Sequence, residues 1–150
     1  MKLTQLSLFL ENKPGHVKIP CQVLAEAGVN ICTLSLADTA QFGILHLIVE
    51  DWEKGYAALK NAGCVVNTTD VLALVVPDRP GGLADLLDHC DTCGLNIEYM
   101  YAFTRRRKQD AIMIICFEDP DKAIEVLKDR KMDGVDVMRC TDLFGDLEGL

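Results

Sequence analysis

The chain repeats itself, and a repeat restricts the fold to a shape that can be built twice. Residues 6–31 read LSLFLENKPGHVKIPCQVLAEAGVNI, and a shift of 66 positions lays them without a gap on residues 72–97, LALVVPDRPGGLADLLDHCDTCGLNI. Pro14 meets Pro80, Gly15 meets Gly81, Gly28 meets Gly94, and Asn30-Ile31 meets Asn96-Ile97. Further on, Glu50-Asp51 matches Glu118-Asp119 and Leu59-Lys60 matches Leu127-Lys128 at a shift of 68, while Thr69-Asp70 matches Thr141-Asp142 at 72. The second copy therefore has the longer loops. The copies meet near Asp70-Val71 with no Gly/Ser/Pro linker, which implies modules of residues 1–70 and 71–150 packed against each other rather than tethered flexibly.

Periodicity gives each copy the same element order. Leu6, Leu8 and Leu10 alternate with other residues, as do Leu72, Leu74 and Val76, so each copy opens on a strand. Pro-Gly breaks it. Leu83, Leu86, Leu87, Cys90 and Cys93 then fall on one helix face stopped by Gly94, and Val17, Leu24 and Ala27 share a face stopped by Gly28. Pro20 removes an amide near the end of the first turn, so the first helix is expected to start late. Strands follow at 30–37 and 96–103, then at 43–50 and 111–117; the latter pair are nearly continuous apolar runs and should be central. Helices at 52–61 and 121–131 and last strands at 64–69 and 135–140 complete a βαββαβ order in each half. That is the ferredoxin-like plan, an antiparallel sheet with two helices on one face.

Composition then separates the uses to which such a plan can be put. Net charge is −8, from 15 basic and 23 acidic residues, which repels nucleic acid and anionic membrane. Five basic and seven acidic residues lie before Val71, ten and sixteen after it, so the acidity belongs mainly to the second copy. An RNA reader of this plan needs aromatics on the central strands and a basic face; the first strands carry only Phe9. The longest apolar stretch, 44–49, is interrupted by His46 and is far below the ~20 residues of a membrane span, and the N-terminus has no secretory pattern, so the expected location is the cytoplasm. Seven cysteines, an odd number lying mostly in apolar segments, read as reduced thiols rather than a disulfide framework. Cys90 and Cys93 form a Cys-x-x-Cys beside His89, but it ends a helix instead of opening one and aligns with Leu24 and Ala27, which makes it a core face. The basic run 105–108 reads as a solvated hairpin tip.

What both copies keep is a turn between a strand end and a helix start: Asn12-Lys13-Pro14-Gly15 and Asp78-Arg79-Pro80-Gly81. Amides at the helix start, at His16-Val17 or Gly82-Leu83, can hold a carboxylate, and the Asn12 or Asp78 side chain can accept from an ammonium group. Those are the two ends of a free amino acid. The competing reading is that Asn12 and Asp78 cap the turn and the glycines supply its backbone shape.

The D/N-x-P-G turn, an apolar helix, a glycine and Asn-Ile at the next strand together resemble the ACT domain, the small βαββαβ regulatory module that binds amino acids. The resemblance covers essentially the whole chain, twice. It implies an α+β protein of two ferredoxin-like modules side by side, antiparallel sheets with helices on one face, standing alone with no catalytic domain attached. In that family the ligand lies where two ACT domains meet, between the first loop of one and the second strand of its neighbour. Carried over by position, the ligand-binding residues are Asn12, Gly15, His16 and Val17 in the first loop and Asp78, Gly81, Gly82 and Leu83 in the second. Asn30, Ile31, Asn96 and Ile97 correspond to the start of the adjoining strand. The loops differ: Asp78 brings charge, Gly82 permits close backbone approach, and His16 replaces that glycine with a bulky donor. The expectation is a non-catalytic regulator that binds a free amino acid at one or two sites, uses no cofactor or metal, forms a homodimer through second-strand edges, and acts on a regulated enzyme or other protein partner. Two alternatives remain. One is a protein–protein interaction module without a small ligand; the other is a small acylphosphatase-like hydrolase using Arg79.

Overall fold

The structure, a computed structural model, describes residues 1–39, 41–104, 110–129 and 132–145. In chain order the elements are β1 (Lys2–Glu11), α1 (Lys18–Glu26), β2 (Ile31–Asp38), β3 (Phe42–Val49), α2 (Trp52–Asn61), β4 (Val66–Pro77), α3 (Gly82–Thr92), β5 (Ile97–Ala102), β6 (Asp110–Phe117), α4 (Pro120–Asp129), β7 (Asp136–Val137) and α5 (Cys140–Gly145). They divide into two compact units, one of Thr4–Thr69 and one of Asp70 onward together with Met1–Leu3.

In the first unit β3 pairs antiparallel with β1 on one side and β2 on the other, with Leu6 opposite Leu47 and Leu8 opposite Leu45. The apolar run of β3 thus lies between two hydrogen-bonded partners, as expected of a central strand, with Leu45, Leu47 and Val49 in the core. Phe9 donates its amide to Val65 O, 3.2 Å, which brings the last strand segment alongside β1. Leu6, Leu8, Leu45 and Leu47 meet Leu24 of α1 and Leu59 of α2 in the core. Gly55 lets α2 come close: a Cβ there would stand 3.2 Å from Leu24 and 3.3 Å from Leu6. The α1 helix ends at Gly28, whose φ is +67°, and Val29 returns its amide to Leu24 O, 2.9 Å, closing the helix in the Schellman manner.

The second unit repeats this in the order β7-β4-β6-β5, all antiparallel. Leu72, Leu74, Val76, Ile115 and Phe117 present one sheet face to Leu86 and Cys90 of α3 and to Ala123 and Leu127 of α4. Gly94, φ +65°, and the Leu95 amide on Cys90 O, 2.9 Å, stop α3 as Gly28 and Val29 stop α1.

Two expectations needed revision. Residues 64–69 and 72–76 were expected as separate strands, but β4 runs unbroken from Val66 to Pro77; no Gly or Pro interrupts it before Pro77, and its Val and Thr residues favour extended backbone. The last strand, expected over 135–140, is only Asp136–Val137. Met138 adds one more bond to Ala73 O, 2.9 Å, and Cys140 then opens α5, its thiol donating to Lys2 O, 3.0 Å. Lys2 is also tied to the carboxylates of Asp70 and Asp121, 3.3 and 3.2 Å. The helix expected over 121–131 is present as α4, and the end expected for it at Lys131 lies outside the described residues. The late start of the first helix is seen: α3 begins at Gly82, whose counterpart is His16, whereas α1 begins at Lys18 with Pro20 in its first turn. The 105–108 run lies outside the described residues.

A polar cluster interrupts the apolar first unit. Gln5 and Ser7 are buried, and both reach Nδ1 of His46 in β3, Gln5 Nε2 at 2.9 Å and Ser7 Oγ at 3.0 Å. Since an amide NH2 can only donate, Nδ1 accepts and the ring carries its proton on Nε2. Burial lowers the His46 pKa below the ordinary 6.5. The unfolded chain therefore binds the proton more readily, so the stabilisation is complete above about pH 6.5 and is lost as pH falls toward the folded-state value. His46→Gln should flatten the fall in thermal midpoint between about pH 7 and 5; identical pH slopes for variant and wild type would show that His46 does not set it.

Candidate functional site

The repeated turn is built the same way in both units. At the first, His16 returns its amide to Lys13 O, 3.3 Å, across Pro14 and Gly15, with Gly15 at φ +86°. At the second, Gly82 returns its amide to Arg79 O, 3.0 Å, across Pro80 and Gly81, with Gly81 at φ +85°. Pro at the second position and a left-handed Gly at the third make this a type II turn, the shape that Pro-Gly favours. The turn also begins alike, with Lys13 N on Glu11 O, 2.9 Å, and Arg79 N on Pro77 O, 3.0 Å. The amides of His16 and Gly82 are therefore used inside the turn. Those of Val17 and Leu83 engage no backbone acceptor among the described residues and point the open end of each helix outward.

The side chains around the turns are not equivalent. Asn12 and Asp78 are exposed, and the Asn12 amide donates to Gln41 O, 3.1 Å. His16 is half-buried and Val17 exposed. Lys13 Nζ sits 2.6 Å from Glu11 Oε2 and holds that carboxyl below the usual carboxylate range. Arg79 instead reaches forward to Asp85, Nη2 to Oδ2 2.6 Å, and donates to Pro80 O, 3.2 Å. Gly82 is buried, and the space a side chain would fill is taken by Pro77 O, 2.1 Å from a Cβ placed there. The close approach that this glycine permits is thus made by the chain's own carbonyl.

Asn30-Ile31 and Asn96-Ile97 lie elsewhere in each unit. Ile31 stands opposite Val49 at the end of β3, while Glu11, beside the turn, stands opposite Phe42 at its start. Seven residues of strand separate them, roughly 20 Å. Within one unit the structure does not bring the strand-start pair to the turn. The Asn side chains have local work: Asn30 Nδ2 donates to Glu50 Oε1, 2.9 Å, and Asn96 Nδ2 to Glu118 Oε2, 3.2 Å. Ile31 and Ile97 pack half-buried against their cores.

That second repeated device carries roles the sequence reading did not assign. The residue after each Glu caps a helix, Asp51 accepting from Lys54 N at 3.1 Å and Asp119 from Lys122 N at 3.0 Å. Lys122 Nζ then reaches Gly94 O, 3.0 Å, at the end of α3, and these residues line an open cleft of about 450 Å³. The Glu-Asp-x-x-Lys spacing at the same 68-residue shift was the signal that could have found it.

Cys90 lies in the core, burial pushes its thiol pKa up rather than down, and Cys93 packs beside it with His89 Nε2 4.0 Å from the sulfur. A raised pKa is the reverse of what a redox Cys-x-x-Cys needs. Among the described residues no group of three or more His, Cys, Asp or Glu could hold a metal ion, and no helix is long and apolar enough to cross a membrane.

A family model described as an ACT domain pair matches residues 1–143. Among solved structures, protein BT0572 from Bacteroides thetaiotaomicron is 42% identical, with 96% of each chain covered and a TM-score of 0.86. The regulatory subunit of aspartate kinase from Thermus thermophilus, in its ligand-free form, is 18% identical over 84% of this chain and 91% of that one, TM-score 0.59; at that identity the likeness is one of fold. No curated protein matches the chain.

Proposed function

Because the chain belongs to the ACT domain pair family, a regulatory rather than a catalytic kind of domain, we propose that it binds a free amino acid at its Pro-Gly turns and passes that occupancy to a protein partner. The observation that carries this reading is the turn built twice. Each copy opens a helix with an early amide, Val17 or Leu83, that engages no backbone acceptor among the described residues, beside Asn12 or Asp78 and a cation. A carboxylate suits the amide and the helix dipole, and an ammonium suits the Asn or Asp oxygen. Of the residues expected to bind, Asn12, Gly15, His16, Val17, Asp78, Gly81 and Leu83 stand at the turns. Gly82 shapes the turn from behind, and Asn30, Ile31, Asn96 and Ile97 belong to the far end of their units.

Thermal unfolding in the presence of each of the twenty amino acids tests the reading, because a ligand of the native state raises its stability, by about 2.7 kcal/mol at a hundred times Kd. A saturable rise with one or a few amino acids is expected. Asn12→Ala and Asp78→Ala should each weaken it, unequally. If no amino acid moves the midpoint at millimolar concentration, the interaction-module reading replaces this one.

A surface observation favours a protein contact in addition to the ligand. Leu34 and Leu36 on β2 are each 48% exposed, Ile19 of α1 is 51% and Phe42 is 56%, and among the described residues β2 has only β3 as a hydrogen-bonded neighbour. Exposed apolar residues along an unpaired strand edge suit pairing with another chain, and we assign the homodimer contact to this edge.

A further inference from the structure

We propose that Lys13 and Arg79 are the residues that recognise a ligand's carboxylate at the two turns, and that Glu11 and Asp85 hold them in place until it arrives. The inference rests on the amino-acid-binding reading and names the selectivity of that same site. Its basis is how the two repeats differ. Under the 66-residue shift Lys13 falls on Arg79, so the cation is present in both turns. Its carboxylate partner is not. Glu11 falls on Pro77, and Asp85 falls on Ile19, so neither carboxylate has a counterpart in the other copy. Each turn nonetheless ties its cation to a carboxylate at 2.6 Å, backward to the strand end in one case and forward to the first helical turn in the other. A cation kept for the sake of one ion pair would have kept that pair. What the copies share is a positive group beside the Pro-Gly turn.

The turn itself does not require the cation. Pro-Gly and the backbone bonds of His16 and Gly82 close it, and both ion pairs are exposed, the lysine side chain to 65% and the arginine side chain to 56%. Exposed pairs of this kind contribute little to stability and exchange partners easily. Arg79 Nη1 lies 3.6 Å from where a Gly81 Cβ would stand, so the guanidinium already lies over the turn; Lys13 is drawn back toward β1 by Glu11. Released from Asp85, the arginine fork presents two parallel donors to a carboxylate, whereas Lys13 offers a single point charge. The second turn therefore distinguishes a carboxylate from a neutral group more sharply than the first, and Asp85 is its built-in competitor.

The test uses the full chain, titrated calorimetrically with each of the twenty L-amino acids and with its α-amide, which keeps the side chain and ammonium but lacks the charged carboxylate. Wild type is expected to bind the acid at least about tenfold more tightly than the amide, the size expected of a hydrogen bond to a charged group. Lys13→Met with Arg79→Met should cut that preference back to what the helix-start amides supply while leaving amide binding unchanged, and Asp85→Asn should tighten the acid and not the amide. Thermal midpoints of the unliganded variants verify that the fold is intact. The proposal is overturned if the double variant keeps the full acid-over-amide preference of wild type, if wild type binds acid and amide equally, or if Asp85→Asn leaves acid affinity unchanged. If no amino acid binds at all, the amino-acid reading fails first and the proposal falls with it, a result distinct from the other three.

Discussion

Gly82→Ala is expected to destabilise the second unit by about 3 kcal/mol, a large effect for the addition of one methyl group. A Cβ at position 82 would stand 2.1 Å from Pro77 O and 3.2 Å from the carbonyl carbon, far inside contact distance. Pro77 cannot give way cheaply. It is paired with Asp110 across the sheet, its oxygen accepts from Arg79 N, and its ring lies against Gly134, where a Cβ would meet Pro77 Cγ at 2.7 Å. Gly15→Ala is the informative contrast. Open space surrounds that position, but its φ of +86° is left-handed, so the cost is conformational and only about 1 kcal/mol. Urea midpoints for the two variants compare the effects directly. A Gly82→Ala chain as stable as Gly15→Ala would mean that the turn has slack the structure does not show.

Leu24→Ala and Leu86→Ala should each remove about 3 kcal/mol, the loss expected when a fully enclosed leucine is cut back in a core that cannot collapse. Both side chains have no solvent exposure, and the clusters they belong to share no residue: Leu24 packs with Leu6, Leu8 and Leu59, Leu86 with Leu74, Cys90 and Ala123. The single tryptophan, Trp52, lies in α2 of the first unit and reports that unit by fluorescence. Leu24→Ala is expected to lower the Trp52 midpoint by about 12–24 °C, and Leu86→Ala to lower the far-UV circular dichroism midpoint by a similar amount. A loss under about 1 kcal/mol in either variant would contradict the packing described for that unit.

The fold was legible wherever a physical signal recurred at a fixed spacing. Alternation at Leu6, Leu8, Leu72 and Leu74 marked core strands, and the glycines at 28 and 94 marked helix ends because a left-handed residue is needed there. Pro20 announced a delayed helix because a missing amide has a local consequence. The short β7 and the α5 helix were not legible: Cys140, where α5 begins, bonds the main chain of Lys2, at the opposite end of the sequence, and no local pattern reports such a neighbour. At the site, Pro-Gly could be read as a turn, but Gly82 was read as room for a ligand when the room is filled by Pro77 O, a contact visible only in three dimensions. Asn30 and Asn96 were likewise placed by resemblance, and their bonds to Glu50 and Glu118 required coordinates to see.

The central claim is that the two turns are the ligand-binding elements of an ACT domain pair, and amide chemical-shift mapping of the isotope-labelled chain tests it most directly. With the amino acid that most raises the thermal midpoint, the largest saturable shifts are expected on the amides of residues 15–17, residues 81–83, or both. Saturable shifts confined to the cleft around Gly94, Asn96 and Lys122, with both turns silent, would contradict it.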